Sequence, residues 1–391
     1  MSGRPIDITF VTSLRYSDSG AAQSRHLAYY RGLAELGVTV RVLLLTQDSL
    51  AGTEELADAS VEFRPLGRTR GSAVARTLEL AGAIQRAARE IRKSGSAAIV
   101  LLDTHPVILL PLIRAARRSG IPVLHERTEH PAVVAPSGYE GRAILGAYYR
   151  YCLPQFSGIY AITKPLLMFL LEQAGPGTRG TVVNMIVDTT RFLPTAMDQP
   201  RNTGEIVHAG SLLAHKDGID TLVMALPHVR KMPGTAEAYL SVYGPPTGRA
   251  ELERLLAGLG LPGDAVRLMG QVPSTDIPAI LARADALALA RPDSMQARYG
   301  FPTKLGEYLA SGTPTACTSV GQLPRFLTDR KVAYLASPGD VESLAAALHS
   351  ALTDPNRWGV ASEARHLTES TFSTERAAQQ IMELVSKCQE G

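Results

Sequence analysis

Apolar runs and amphipathic stretches alternate along almost the whole chain. In the first half, the runs at 7–13 (DITFVTS), 38–46 (VTVRVLLLT), 97–104 (AAIVLLDT), 121–127 (IPVLHER) and 158–163 (GIYAIT) predict strands. Helical spacing between them predicts helices over 21–37, 77–93, 108–119, 142–153 and 165–173. Alternation of this kind predicts a parallel sheet covered by helices on both faces. The stretch MIVDTTRFLPTAMDQPRNTG, residues 185–204, has no period and two prolines, and predicts a linker. The pattern then restarts. Strands are predicted at 205–210, 238–244, 265–270, 284–290 and 313–318, and helices at 219–231, 248–259, 274–283, 302–311 and after Asp340. The fold class is therefore α/β, with two doubly wound, Rossmann-like domains in sequence. The expected division is 1–186 and 187–373, with the last helix, 374–391, packing back on the first domain. A length of 391 residues suits two domains.

In open parallel sheets ligands lie beyond the carboxyl ends of the strands. Two such domains facing across a cleft suit an enzyme with two substrates. A nicotinamide dehydrogenase would show Gly-x-Gly-x-x-Gly directly after a strand, and no such motif is present.

Composition narrows the setting. The chain is 45% hydrophobic and 20% charged, as in soluble globular proteins, and its net charge of +3 gives no reason to expect nucleic acid as a partner. The charge is uneven: residues 1–190 carry 21 basic and 16 acidic side chains, against 19 and 21 in residues 191–391. Ordinary scatter explains this, or else an anionic partner or a membrane surface for the first half. The segments 108–118 and AILGAYYRYCLPQF, 143–156, mix apolar and basic residues. They fit either core packing or peripheral contact with an anionic lipid face. Three scattered cysteines, no apolar leader and no run of membrane-spanning length together predict a cytoplasmic setting, with the inner membrane face as a candidate surface.

Two places carry candidate chemistry. The loop GSLLAHKDG, residues 210–218, lies between a predicted strand end and a helix start, where backbone N–H groups and Lys216 suit a phosphate. A merely solvated surface lysine is the alternative. In RYGFPTKLGEYLASGTPTACTSVG, residues 298–321, Pro302 suits the first position of a helix. Glu307 lies too far inside that helix to cap it. Its carboxylate can accept two hydrogen bonds from a vicinal diol such as a ribose, or it can pair with Lys304 three residues away. The turn GQVP, residues 270–273, leaves backbone groups at a strand end that can read a base edge.

The ordered segments HAGSLLAHKDGIDTLVMAL, LSVYGPP, VRLMGQVPSTDIPAILARADALALARPDS and GFPTKLGEYLASGTPTACTSVGQLPRFL resemble the retaining, nucleotide-sugar-dependent glycosyltransferases of the GT-B fold, the glycogen-synthase-like or group 1 enzymes. In the first half VVNMIVDTTRF and the loop with Gly20 also fit. The resemblance implies that Lys216 binds the donor diphosphate, Glu307 the ribose hydroxyls and the backbone near Val272 the base. Gly300, Phe301, Pro302, Thr303 and Lys304 would face the phosphates and the sugar, and the amides of Ser319 and Val320 would add contacts. His130, backed by Glu129 and Glu126, would face the reacting sugar. Arg15, Tyr16 and Gly20 would approach the diphosphate and the acceptor.

Two positions depart from the family pattern. Ser211 stands where an arginine is usual, so Arg298 or Lys304 would have to compensate. Tyr299 stands where a glutamate is usual, eight residues before Glu307. The implied reaction is sugar transfer with retention to a small-molecule, glycan or lipid-linked acceptor, in polysaccharide, glycolipid or glycosylated-metabolite biosynthesis. No Asp-x-Asp is present, so no obligate metal is expected. A sugar-nucleotide epimerase of the same fold, or an inactive nucleotide-sugar-binding protein, is the alternative.

Overall fold

A computed structural model describes residues 6–14, 21–46, 60–67, 72–192 and 203–390. The chain divides into two compact units, Met1–Ile186 with Thr374–Gly391 and Val187–Ser373. The first unit runs β1 (Asp7–Thr12), α1 (Ala21–Glu35), β2 (Thr39–Leu44), β3 (Val61–Pro65), α2 (Ala73–Ser94), β4 (Ala98–Leu101), α3 (Pro106–Arg118), β5 (Val123–Arg127), α4 (Pro131–Val134), α5 (Gly138–Ala147), β6 (Gly158–Ala161), α6 (Lys164–Ala174) and β7 (Arg179–Val182). Its seven strands are all parallel, in the order β3-β2-β1-β4-β5-β6-β7. β4, β5 and β6 are buried at every position, as apolar runs covered on both faces require.

The second unit runs β8 (Glu205–Ala209), α7 (Ala214–Asp217), α8 (Ile219–Lys231), β9 (Tyr239–Tyr243), α9 (Arg249–Gly258), β10 (Val266–Gly270), α10 (Ile277–Arg283), β11 (Ala286–Leu289), α11 (Met295–Tyr299), α12 (Thr303–Ala310), β12 (Thr315–Thr318), β13 (Tyr334–Ala336), α13 (Val341–Thr353) and α14 (Arg357–Thr371). Its sheet, β10-β9-β8-β11-β12-β13, is also wholly parallel. In each unit the strand order reverses beside the first strand, between β1 and β4 and between β8 and β11. Those are the points where open α/β sheets part to admit ligands.

A last helix, α15 (Thr374–Gln389), returns to the first unit. It buries Ala377, Ala378, Ile381, Leu384 and Val385, a single stripe, in the core that holds Ile8, Tyr29, Tyr30 and Leu33. Gly32 lets it approach: a Cβ there would stand 2.5 Å from the Thr374 carbonyl oxygen.

The elements differ from the sequence expectation in several places. β3, β7 and β13 were not foreseen; each is the outermost strand of its sheet. The helix expected over 142–153 begins at Gly138 and passes into a π-helical turn, Tyr148–Cys152, and a 3-10 turn, Leu153–Gln155. The segment expected as a linker includes a 3-10 turn, Thr189–Arg191. Pro302 caps α12 rather than opening it, and Thr303 is the first helical residue.

Candidate functional site

The sheet of the second unit parts where β8 and β11 end. Tyr308, fully buried on α12, bolts this point: its hydroxyl accepts from the Ala209 amide at 2.7 Å and donates to the Ala209 carbonyl at 3.2 Å. His208, also fully buried, sets its ring nitrogens against the carbonyls of Ala288 (3.0 Å) and Ser211 (3.4 Å). Gly218, at φ +68°, turns the chain into α8; a Cβ would lie 1.9 Å from the Ala290 carbonyl oxygen, so no other residue fits.

Beyond Gly210 a one-turn helix, α7, carries Lys216 on its exposed side. Asp217, 3% exposed, turns inward. One of its oxygens accepts from the Ser211 amide at 2.7 Å and from the Lys304 ammonium. Burial opposes ionisation of Asp217, but Lys304, His208 and these hydrogen bonds prevail and hold its pKa below the ordinary value. Burial prevails at Lys304 and lowers its pKa, with Asp217 opposing and Lys216 adding to the fall. The Lys304 side chain is still 27% exposed, so an anion can reach it. Arg298 is the other cation that could stand in for the arginine absent at Ser211. It is engaged with Asp293 through two contacts of 2.8 and 2.9 Å on the surface. Lys304, not Arg298, lies beside residues 210 and 211.

Glu307 sits further along α12, 30% exposed, with Oε1 3.4 Å from Nη1 of Arg191. The alternative pair with Lys304 does not form, because Lys304 is taken by Asp217. Burial raises the Glu307 pKa, with Arg191 and Lys304 opposing. Val272 is half-buried in the turn after β10. Gly300 is extended, its amide donating to the Gln296 carbonyl. Phe301 does not face a ligand with its ring: the ring is buried, with Phe326 and Phe372 each 5.7 Å away between centroids. Pro302 is buried too, and Thr303 is half-buried at the start of α12, where first-turn N–H groups lack intrahelical partners. The Ser319 and Val320 amides already donate to the carbonyls of Ala336 and Thr318, so they are not the spare donors expected.

In the first unit Arg15, Tyr16 and Gly20 lie outside the described residues. The chain just before them is anchored: the Ser13 amide and hydroxyl both donate to Asp103, just past the carboxyl ends of the paired strands β1 and β4. His130 caps α4, with Nδ1 accepting from the Ala132 amide at 3.2 Å and its ring 4.3 Å from Phe169. Burial, then Arg127, lowers its pKa, so it is neutral at pH 7. Glu129 is half-buried beside it, its carbonyl accepting from Arg127. Glu126 does not belong with these two as an acceptor-binding group. It is 3% exposed, and Arg25 (2.8 Å), His26 (3.0 Å) and Tyr29 (3.0 Å) occupy its oxygens. Burial opposes its charge, but His26 and Arg25 overcome that and hold its pKa at about 2. Of the apolar residues considered for lipid contact, Ile108, Leu109, Leu112, Ile113, Tyr148, Cys152 and Leu153 are buried, whereas Tyr151 is 53% exposed. No helix among the described residues is long and apolar enough to cross a membrane.

Residues 203–354 match the family described as glycosyl transferases group 1. The matched residues lie wholly within the second unit. Over 195 residues the chain is 31% identical to the glycogen synthase of Mycobacterium tuberculosis H37Rv, a match covering 48% of this chain and 43% of that protein. It therefore spans less than half of the first curated relatives. Over 357 residues it is 26% identical to the 2-deoxystreptamine glucosyltransferase of Streptomyces kanamyceticus, covering 85% of this chain and 90% of that one. Among solved structures, Anabaena Alr3699/HepE in complex with UDP and glucose superposes with a TM-score of 0.73 at 16% identity, covering 98% and 100% of the two chains. Sucrose-phosphate synthase from Thermosynechococcus elongatus gives 0.71 at 17%, covering 98% of each. At such identities the likeness establishes the fold, which is GT-B.

Two charged partners in this region, one of Lys304 and one of Glu307, escaped the sequence reading. Asp217 stood inside the loop singled out for Lys216, and Arg191 inside the supposed linker. The only signal was their charge beside turn residues.

Proposed function

We propose that the chain moves a glycosyl group from a nucleoside diphosphate sugar to an acceptor hydroxyl, with retention at the anomeric carbon and without an obligate metal. One observation carries this: at the opening between β8 and β11 the Lys304 ammonium is seated on buried Asp217 beside Ser211, with Glu307 one turn further along the same helix. A fixed, partly desolvated cation suits the charge that develops on a departing diphosphate. Lys216 and the first-turn amides of α12 add to it. The half-buried Glu307 carboxylate suits the ribose diol, and the turn at Val272 the base. The relatives named above, a glucosyltransferase and a protein complexed with UDP and glucose, favour a hexose donor.

In the transfer the acceptor oxygen bonds to the anomeric carbon on the face from which the phosphate departs. The anomeric C–O bond breaks with its electron pair going to the diphosphate, and the acceptor proton passes to a leaving phosphate oxygen. His130 is neutral, with Nδ1 accepting from Ala132 and its proton therefore on Nε2, a form suited to donating to a sugar hydroxyl. The acceptor hydroxyl belongs to a small-molecule, glycan or lipid-linked acceptor.

The test is a panel of UDP-, ADP- and GDP-sugars, assayed for binding and for turnover with EDTA present, and product stereochemistry read by proton NMR. Retained configuration with EDTA-insensitive turnover is expected. Binding without turnover would point to an inactive binding protein, and an altered sugar without acceptor to an epimerase. Loss of activity in EDTA would overturn the metal-free mechanism.

A further inference from the structure

Arg191 spans two separate parts of the same region. Its Nη1 lies 3.4 Å from Oε1 of Glu307 on α12, and its Nη2 donates to the Ser274 carbonyl at 2.7 Å. Ser274 directly follows residues 271–273, the turn assigned to the base. One planar guanidinium thus joins the ribose side of the site to the base side, a task for which its fork is suited and a single ammonium is not.

The arginine is itself held from behind. Asp188 caps its 3-10 turn by accepting from the Thr190 amide at 3.1 Å. The next residue, Phe192, is 3% exposed, and its carbonyl accepts from Arg365 at 2.9 Å. Among the described residues only Oε1 of Glu307 is engaged, which leaves Oε2 for a ligand. Both side chains keep some exposure, 32% for Arg191 and 30% for Glu307, so a nucleoside can enter without the pair being dismantled.

Resting on the donor reading above, we propose that Arg191 is a positioning residue for nucleoside recognition. It fixes the Glu307 carboxylate and the turn at Ser274 relative to each other, so that the ribose and base of one nucleoside are read together. Arg191 touches neither the sugar being transferred nor the reacting bond; its effect passes through Glu307.

Calorimetric titration of UDP and 2′-deoxy-UDP into the full chain tests this, with the ADP or GDP pair used where UDP gives no heat. The wild type should favour the ribose form about tenfold, as a hydrogen bond to a charged group allows. Glu307→Gln and Arg191→Ala should each bring the preference close to unity while the deoxy form binds much as before. Arg191→Lys, which keeps the charge and loses the fork, should fall between. An undiminished preference in Arg191→Ala, with loss in Glu307→Gln, overturns the role of Arg191 and leaves the donor site standing. Should Arg191→Ala fail to fold, full preference in Arg191→Lys overturns the bridging role equally. No binding of any nucleoside diphosphate by the wild type sinks the donor reading itself.

Discussion

Lys304 and Asp217 form their ion pair in the space that any side chain at residue 210 would fill. A Cβ on Gly210 would stand 2.7 Å from Nζ of Lys304 and 2.8 Å from Oδ2 of Asp217. The serine at 211 leaves the strand end without the arginine usual in the family it resembles, and the cation arrives instead from α12. One loop, carrying Gly210 and Asp217, and one distant helix, carrying Lys304, thus build one charged seat.

Removing that cation should cost rate. Lys304→Ala is expected to lower kcat on the order of 10²–10³-fold, the usual loss for one electrostatic contact to a transition state. Gly210→Ala should lower kcat by a smaller factor with both charges still present, because the flexible ends of Lys304 and Asp217 must shift to admit the methyl group. Steady-state kinetics with a saturating donor separates this from weaker binding. Normal kcat in both variants would refute the seat.

Arg298→Ala should leave kcat and KM near wild type, since its partner Asp293 is a surface group outside the seat. Lys216→Ala should raise KM for the donor. If the two variants behaved in the opposite way, the diphosphate cation would be Arg298.

Glu307 has its pKa raised by burial, against Arg191 on the turn Thr189–Arg191 and Lys304 on its own helix. A raised pKa means the ligand-free site still holds a proton at pH values where an ordinary glutamate has lost it. Diol binding favours the ionised form, so nucleoside binding should release protons at mildly acid pH and release fewer as pH rises. Titrations in buffers of different ionisation enthalpy measure that number; Glu307→Gln should abolish it.

Glu126 stabilises the first unit through its lowered pKa, about 2 against an ordinary 4.5. The sign follows from the lowering: the contribution is whole above the unfolded value and drains away as pH falls toward about 2. Glu126→Ala should also destabilise at neutral pH by roughly 3–5 kcal/mol, because Arg25 is left buried without its partner. The single tryptophan, Trp358, belongs to the second unit and will not report this. Hydrogen exchange in α1 and β5 will, and unchanged protection in the variant would contradict the account.

What could be read from residues alone follows burial. β4 and β6 announced themselves because strands covered on both faces need an apolar side chain at nearly every position. β3 and β7 did not, because outermost strands leave most side chains in water and lose the apolar run. β13, with three residues, is too short to show a pattern. Within the site, Lys304 and Glu307 stood out because turns bracket their helix. Asp217 lies 87 residues from Lys304 and Arg191 lies 116 from Glu307, and no spacing rule connects such partners. Glu126 misled for the same reason: three partners on α1 about a hundred residues earlier in the chain turned a promising acid near a strand end into an interior one.

The return of α15 has a consequence for how the molecule is made. Its five buried side chains leave the ribosome only after all of β8 to α14, so the earlier-made half waits, its floor open, while the later-made half can close on its own. Birth order and completion order are thereby reversed, and clipping the final sixteen-residue helix would wound the part of the protein that was synthesised first.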